Sequence, residues 1–129
     1  MPEMSITKPI VVVDLSKYRI RIHKRTIHIL GDPENILLLV NPEERTLGVV
    51  CCKKGEKGSH SVSLYTLKRK NCFELYSRSL IQTLQSVYPN WKEGEKYRME
   101  GELFAAENVV KFNMSASSPI GNGKISLYE

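Results

Sequence analysis

Lys17-Tyr18-Arg19-Ile20-Arg21-Ile22-His23 alternates apolar and polar side chains without a break. Successive side chains of a strand point to opposite faces, so this period of two puts Tyr18, Ile20 and Ile22 on one surface and Lys17, Arg19, Arg21 and His23 on the other. The stretch reads as a half-buried β-strand and commits this part of the chain to a sheet with one covered face.

Working outward, the apolar run at residues 10–13 reads as a short buried strand. After His23, Ile27 and Leu30 lie three apart and Gly31 and Pro33 supply a stop, which predicts a short helical turn near 24–30. The apolar segment 35–40 and the returning segment 46–52 flank Asn41-Pro42-Glu43-Glu44, a turn sequence, and predict a hairpin. A lysine and glycine loop at 53–58 leads to a further expected strand at 60–66.

In the second half, Asn71 with Glu74 three positions on has the form of a helix cap. Tyr76, Leu80, Leu84 and Val87 then make a stripe, with Ile81 and Tyr88 beside it, until Pro89; a helix over about 72–88 is predicted. Segments 97–104 and 109–114 around Ala105-Ala106-Glu107-Asn108 predict a closing hairpin. Residues 115–129 are rich in Ser and Gly and are expected to be a flexible tail, leaving 1–114 as a single domain. The expected fold class is α+β: a mainly antiparallel sheet of five to seven strands, the longer helix packed on one face and the short turn near 24–30. No internal repeat at a solenoid period is visible.

The chain has 129 residues, 41% hydrophobic and 26% charged, a composition typical of a globular domain large enough to fold without disulfide or metal. Cys51, Cys52 and Cys72 are odd in number and two are adjacent, which suits reduced thiols. No leader pattern and no apolar stretch of roughly 20 residues appears, so a cytoplasmic location and no membrane partner are expected.

The net charge of +5 is moderate, but it is unevenly distributed. Residues 15–31 contain no acid beside Lys17, Arg19, Arg21, Lys24 and Arg25, and from Arg45 to Phe73 Glu56 is the single acid among seven bases. Same-face residues of a strand lie roughly 6.5–7 Å apart, on the scale of neighbouring phosphates, so the row at 17, 19 and 21 can track a nucleic-acid backbone. The expected phosphate contacts are Lys17, Arg19, Arg21, Lys24 and Arg25, helped by Lys53, Lys54, Lys68, Arg69 and Lys70. An Arg19→Ala plus Arg21→Ala variant is expected to fold normally and lose most binding. The competing possibility is that these bases are only a solvated strand face.

No phosphate loop, no Gly-x-Ser-x-Gly elbow and no acid–base pair marks an enzyme, and no small-molecule substrate is indicated. His23, His28 and His60 with the three cysteines lack zinc spacing, so neither a metal nor a cofactor is expected. Cys52 or Cys72, near Lys or Arg, could act as a redox sensor, though packed thiols are more frequent. Tyr97, Phe104 and Phe112 could stack bases, but core packing is the better reading.

The run Arg19-Ile20-Arg21-Ile22-His23-Lys24-Arg25-Thr26-Ile27-His28-Ile29-Leu30-Gly31, followed by the strands at 36–40 and 47–52, resembles the AbrB-like swapped-hairpin transcription regulators. Ile22, Leu30 and Gly31 match that family's strand, short helix and Leu-Gly frame. His23 stands where the family has proline, and the glycine before the first strand is missing. The resemblance covers about a quarter to a third of the chain. It implies a homodimer with interleaved hairpins and DNA contacts from Arg19, Arg21, Lys24 and Arg25. The leading expectation is a small DNA-binding, regulatory protein. The alternative is a protein-interaction or assembly module using a strand edge or the 80–88 side of the predicted helix.

Overall fold

The computed structural model describes residues 8–121. Among these, nine strands form one curled antiparallel sheet: β1 (Ile10–Asp14), β2 (Arg19–His23), β3 (Asn35–Asn41), β4 (Thr46–Cys51), β5 (His60–Ser61), β6 (Cys72–Tyr76), β7 (Lys96–Phe104), β8 (Val109–Asn113) and β9 (Ser118–Ile120). Three short helices interrupt them, α1 (Lys24–Ile29), α2 (Leu64–Lys70) and α3 (Arg78–Val87). The sheet order is β5-β3-β4-β8-β7-β1-β2-β6, with β9 on β7.

This corrects the expected fold class. The sheet has more strands than the five to seven predicted and curves into a half-barrel, and the helix expected over 72–88 divides. Asn71 is not its N-cap: it closes α2 in the left-handed conformation, φ 61, which asparagine tolerates. Residues 72–76 form β6, burying Phe73 and Leu75 while Tyr76 faces out. Ser77 then caps α3, its hydroxyl accepting the Leu80 N–H. The four-residue spacing from Tyr76 to Leu80 continued a helical stripe backwards across a strand.

The strand expected at 60–66 likewise divides into β5 and α2, with Ser63 capping α2 by accepting from the Thr66 N–H. Of the expected tail, residues 115–121 are built into the fold: Met114–Ala116 makes a 3-10 turn and β9 pairs with β7. Residues 122–129 lie outside the described residues.

One β-α-β-β unit occurs twice. The hairpin pairs Leu38–Val49 and Val40–Leu47 of β3/β4 correspond to Gly101–Phe112 and Leu103–Val110 of β7/β8. Arg45 and Asn108 hold positive φ, 58 and 52, at the same place in the two turns. Each unit opens on a strand leading into a capped helix, β2 into α1 and β6 into α3. The counterpart strands pair with each other, β2 with β6 and β4 with β8, around an approximate two-fold axis.

The two halves differ at the approach to β2 and β6. β1 turns directly into β2 and pairs with it, as β5 would with β6 if the barrel closed. Instead α2 intervenes between β5 and β6 and packs against β6.

The core fills the concave side with Val11, Val13, Ile20, Ile22 and Ile27 from the first half and Ile81, Leu84, Met99, Phe112 and Met114 from the second. β7 passes between two neighbours on one edge, pairing β9 through residues 96–98 and β8 through 101–104. A Cβ added at Gly101 would stand 2.5 Å from the buried Phe112 ring. Gly101→Ala should therefore cost about 1–3 kcal/mol by overpacking, read by urea denaturation. Gly48→Ala, whose Cβ would meet the tip of Val109 at 3.2 Å and Leu39 at ordinary contact distance, should cost less.

Candidate nucleic-acid interface

The outward face of β1, β2 and β6 carries the basic row, and its neighbours are acidic. Arg19 lies opposite Asp14 on β1 and Tyr76 on β6. It is only 8% exposed and donates from its guanidinium to Asp14 Oδ2 at 3.1 Å, while its buried Nε has no partner. Arg21 donates from Nε to Glu74 Oε2 at 2.7 Å, and Lys70 reaches the other oxygen of Glu74 at 3.5 Å. Burial alone would raise the Glu74 pKa, but the Arg21 hydrogen bond and the charges of Arg21 and Lys70 hold it below the ordinary glutamate value.

Arg19 is thus a structural cation, and the expectation that it contacts phosphate and can be replaced without harm to folding is corrected. Alternation identified its face but could not say that Asp14 and Tyr76 would cover it. Lys17 is exposed on the β1–β2 turn, where its N–H donates to Asp14. Lys53 and Lys54 are exposed in the β4–β5 loop, with the Lys53 N–H donating to Glu56. Arg25 is half-buried on α1.

The bases that do meet surround α1 and α2. The Lys24 N–H donates to the Asn71 carbonyl at 3.0 Å, tying the start of α1 to the end of α2. Between these helices runs a groove of about 470 Å³ lined by Lys24, His28, Asp32, Leu64, Tyr65, Leu67 and Lys68. A smaller hollow beside it is lined by Arg21, His23, Lys70 and Cys72 over Ile10 and Val12. Arg69 lies over the Tyr65 ring, 5.4 Å from its centroid, and donates to the Tyr65 hydroxyl at 3.0 Å. Lys24 and Lys68 therefore share the groove, Arg21 and Lys70 share the hollow, and Arg69 is held over Tyr65.

Tyr65 and Leu64 were not singled out from the sequence, yet they are 68% and 60% exposed on this face. The signal available was Ser63 before Leu64 and Tyr65, a cap preceding apolar residues and a run of three bases. Tyr97 and Phe112 are buried, Tyr97 stacked on Trp91 with centroids 5.1 Å apart. The 80–88 side of α3 is also taken, since Leu80, Val87 and Tyr88 pack against the core with Ile81 and Leu84.

His23 caps α1: its Nδ1 accepts the Arg25 N–H at 3.0 Å. Burial first, then the Lys24 charge, lowers its pKa, which keeps Nδ1 free to accept. Because the folded pKa lies below the unfolded one, this stabilisation is complete above about pH 6.5 and is lost as pH falls through the folded value. Wild type should lose up to about 1 kcal/mol of stability relative to His23→Asn on acidification to about pH 5, since asparagine caps without titrating. Denaturant melts across that range check it.

Loss of solvent, then Glu56 and Cys51, pushes the Cys52 thiol up, and burial followed by Glu74 raises Cys72. Both shifts disfavour the thiolate that a redox sensor needs. Among the described residues no three His, Cys, Asp or Glu side chains converge as metal ligands, and no helix is long and apolar enough to cross a membrane. In comparisons with known proteins, no family model, no curated protein and no solved structure matches this chain.

Proposed function

We propose that the chain binds nucleic acid, DNA in the first instance, through the face formed by α1, α2 and the adjoining end of β2. The observation that carries this reading is that bases from separate parts of the sequence share hollows at α1 and α2, Lys24 with Lys68 and Arg21 with Lys70, while Arg69 lies over the exposed Tyr65. α2 has no counterpart between β1 and β2, and it supplies three of the five bases. Contacts to phosphate position a ligand without reading its sequence, so a regulatory role needs a further source of specificity.

Glu74 sets the strength of this face by holding Arg21 and Lys70. Glu74→Gln removes the competing carboxylate charge and should tighten oligonucleotide binding several-fold while lowering stability by about 1–2 kcal/mol. Fluorescence anisotropy with a short DNA at low salt, beside a urea melt, reads both changes. Weaker binding by this variant, with its fold intact, would remove Arg21 and Lys70 from the interface.

A second reading rests on a different surface. The outer face of β3, β4 and β8 has a groove of about 500 Å³ lined by Leu39, Pro42, Val50 and Val109 together with the charged Glu44, Glu107 and Lys111, and Leu39 is half exposed. Such a face suits an assembly module. Leu39→Lys would abolish association there and leave oligonucleotide binding unchanged.

A further inference from the structure

We infer that the groove between α1 and α2 receives one unstacked nucleobase, so that a single nucleic-acid strand is preferred over a duplex; this rests on the nucleic-acid reading above. The groove has apolar walls from Leu64, Tyr65 and Leu67 and a charged rim from Lys24 and Lys68. An apolar slot edged by cations matches a nucleotide, whose flat base is largely apolar on its faces and whose phosphates are anionic.

α2 is built to present this slot. Leu67 is its one buried residue, and its first two residues, Leu64 and Tyr65, point large apolar side chains outward. The Tyr65 ring is held by Arg69 and still remains 68% exposed, the arrangement of a stacking platform whose position is fixed before the ligand arrives. On the opposite wall, His28 is paired with Asp32 through Nδ1 and Oδ1, which offers polar groups to a base edge.

Lys68, Arg69 and Lys70 follow the slot directly along the chain, and Lys70 opens onto the second hollow beside Arg21. A backbone leaving the slot therefore runs onto further cations. In a duplex the faces of each base are buried in the stack, so filling the slot requires a base that is unpaired or flipped out.

The test is anisotropy with a labelled 12-nucleotide DNA strand containing 2-aminopurine, the matching duplex, and inorganic polyphosphate as a polyanion without bases. The strand should bind at least tenfold tighter than the duplex, with 2-aminopurine fluorescence changing on binding. Tyr65→Ala should lose roughly tenfold on the strand together with the fluorescence change, and nothing on polyphosphate; Tyr65→Phe should retain both. Lys68→Ala plus Lys70→Ala should weaken all three ligands.

Equal affinity for strand and duplex, unaltered by Tyr65→Ala, overturns the base slot and leaves the nucleic-acid reading standing. Absence of binding to any of the three polyanions overturns both. Binding to phosphatidylserine vesicles but to no oligonucleotide, lost in Leu64→Ala plus Tyr65→Ala, would make the groove a lipid-surface contact and likewise overturn both.

Discussion

Asp14→Ala should destabilise the protein by about 3–5 kcal/mol, the range for breaking a buried ion pair from one side. Asp14 is 1% exposed and accepts from the Ser16 hydroxyl at 2.7 Å, the Ser16 N–H at 3.0 Å, the Lys17 N–H at 3.2 Å and the Arg19 guanidinium at 3.1 Å. One carboxylate therefore builds the turn between β1 and β2, in which Tyr18 holds φ 51, and neutralises the buried arginine that follows it. Alanine opens the turn and leaves Arg19 charged, buried and already short of one hydrogen bond at Nε.

Arg19 is the centre of that cost, so a double variant separates the contributions. Asp14→Asn keeps an oxygen acceptor for the turn, and combining it with Arg19→Met removes the unpaired cation; most of the lost stability should return. Burial alone would raise the Asp14 pKa, but the hydrogen bonds from Ser16 and Lys17 and the Arg19 charge hold it below the ordinary aspartate value. With the folded pKa below the unfolded one, this contribution is present above about pH 4 and lost as pH falls further, so acid unfolding of wild type should steepen there.

The second large effect concerns binding. Replacing Lys24, Lys68 and Lys70 together by alanine should reduce affinity for a short oligonucleotide roughly 100-fold at low salt, because each cation that meets a phosphate releases condensed counterions. Lys68 and Lys70 are exposed and Lys24 half-exposed, so a urea melt should show little change beyond the Lys70 contact to Glu74. Lys53→Ala plus Lys54→Ala, in a loop away from the grooves, should weaken binding far less. Asp14→Ala disturbs folding and the triple lysine variant disturbs binding; an outcome that mixed the two would contradict the separation of structural Arg19 from the α1–α2 face.

How much of this was legible depended on whether a signal was local. Ile20 and Ile22 announced β2, and the turns at 41–44 and 105–108 announced both hairpins, because period-two burial and turn chemistry are written in adjacent residues. The break at Ser77 was hidden because a strand residue, Tyr76, happened to stand four positions before a helix residue, Leu80. α2 was hidden because seven residues with one buried side chain carry almost no periodic signal. The duplication was hidden because the two hairpins share register and turn geometry but few residue identities: Gly101 stands where the first has Leu38, and Phe112 where it has Val49.

The site shows the same division. That Arg19 and Arg21 share a strand face was readable; that Lys17 would fall in the turn before β2, and that Asp14 and Glu74 from neighbouring strands would answer the two arginines, was not. Conversely, Lys24 and Lys68 line one groove although more than forty residues separate them in the chain. Charge density along the chain could not say which of its bases the fold would bury, and Arg19, at the centre of the row, is 8% exposed.

The most direct test of the central claim is the salt dependence of binding to a short DNA strand. If Arg21, Lys24, Lys68, Arg69 and Lys70 meet phosphates, log K should fall linearly with log salt with a slope of about −3 to −4, and the triple lysine variant should bring it to about −1 to −2. A slope near zero in wild type, or one unchanged in the variant, would contradict a nucleic-acid interface at α1 and α2.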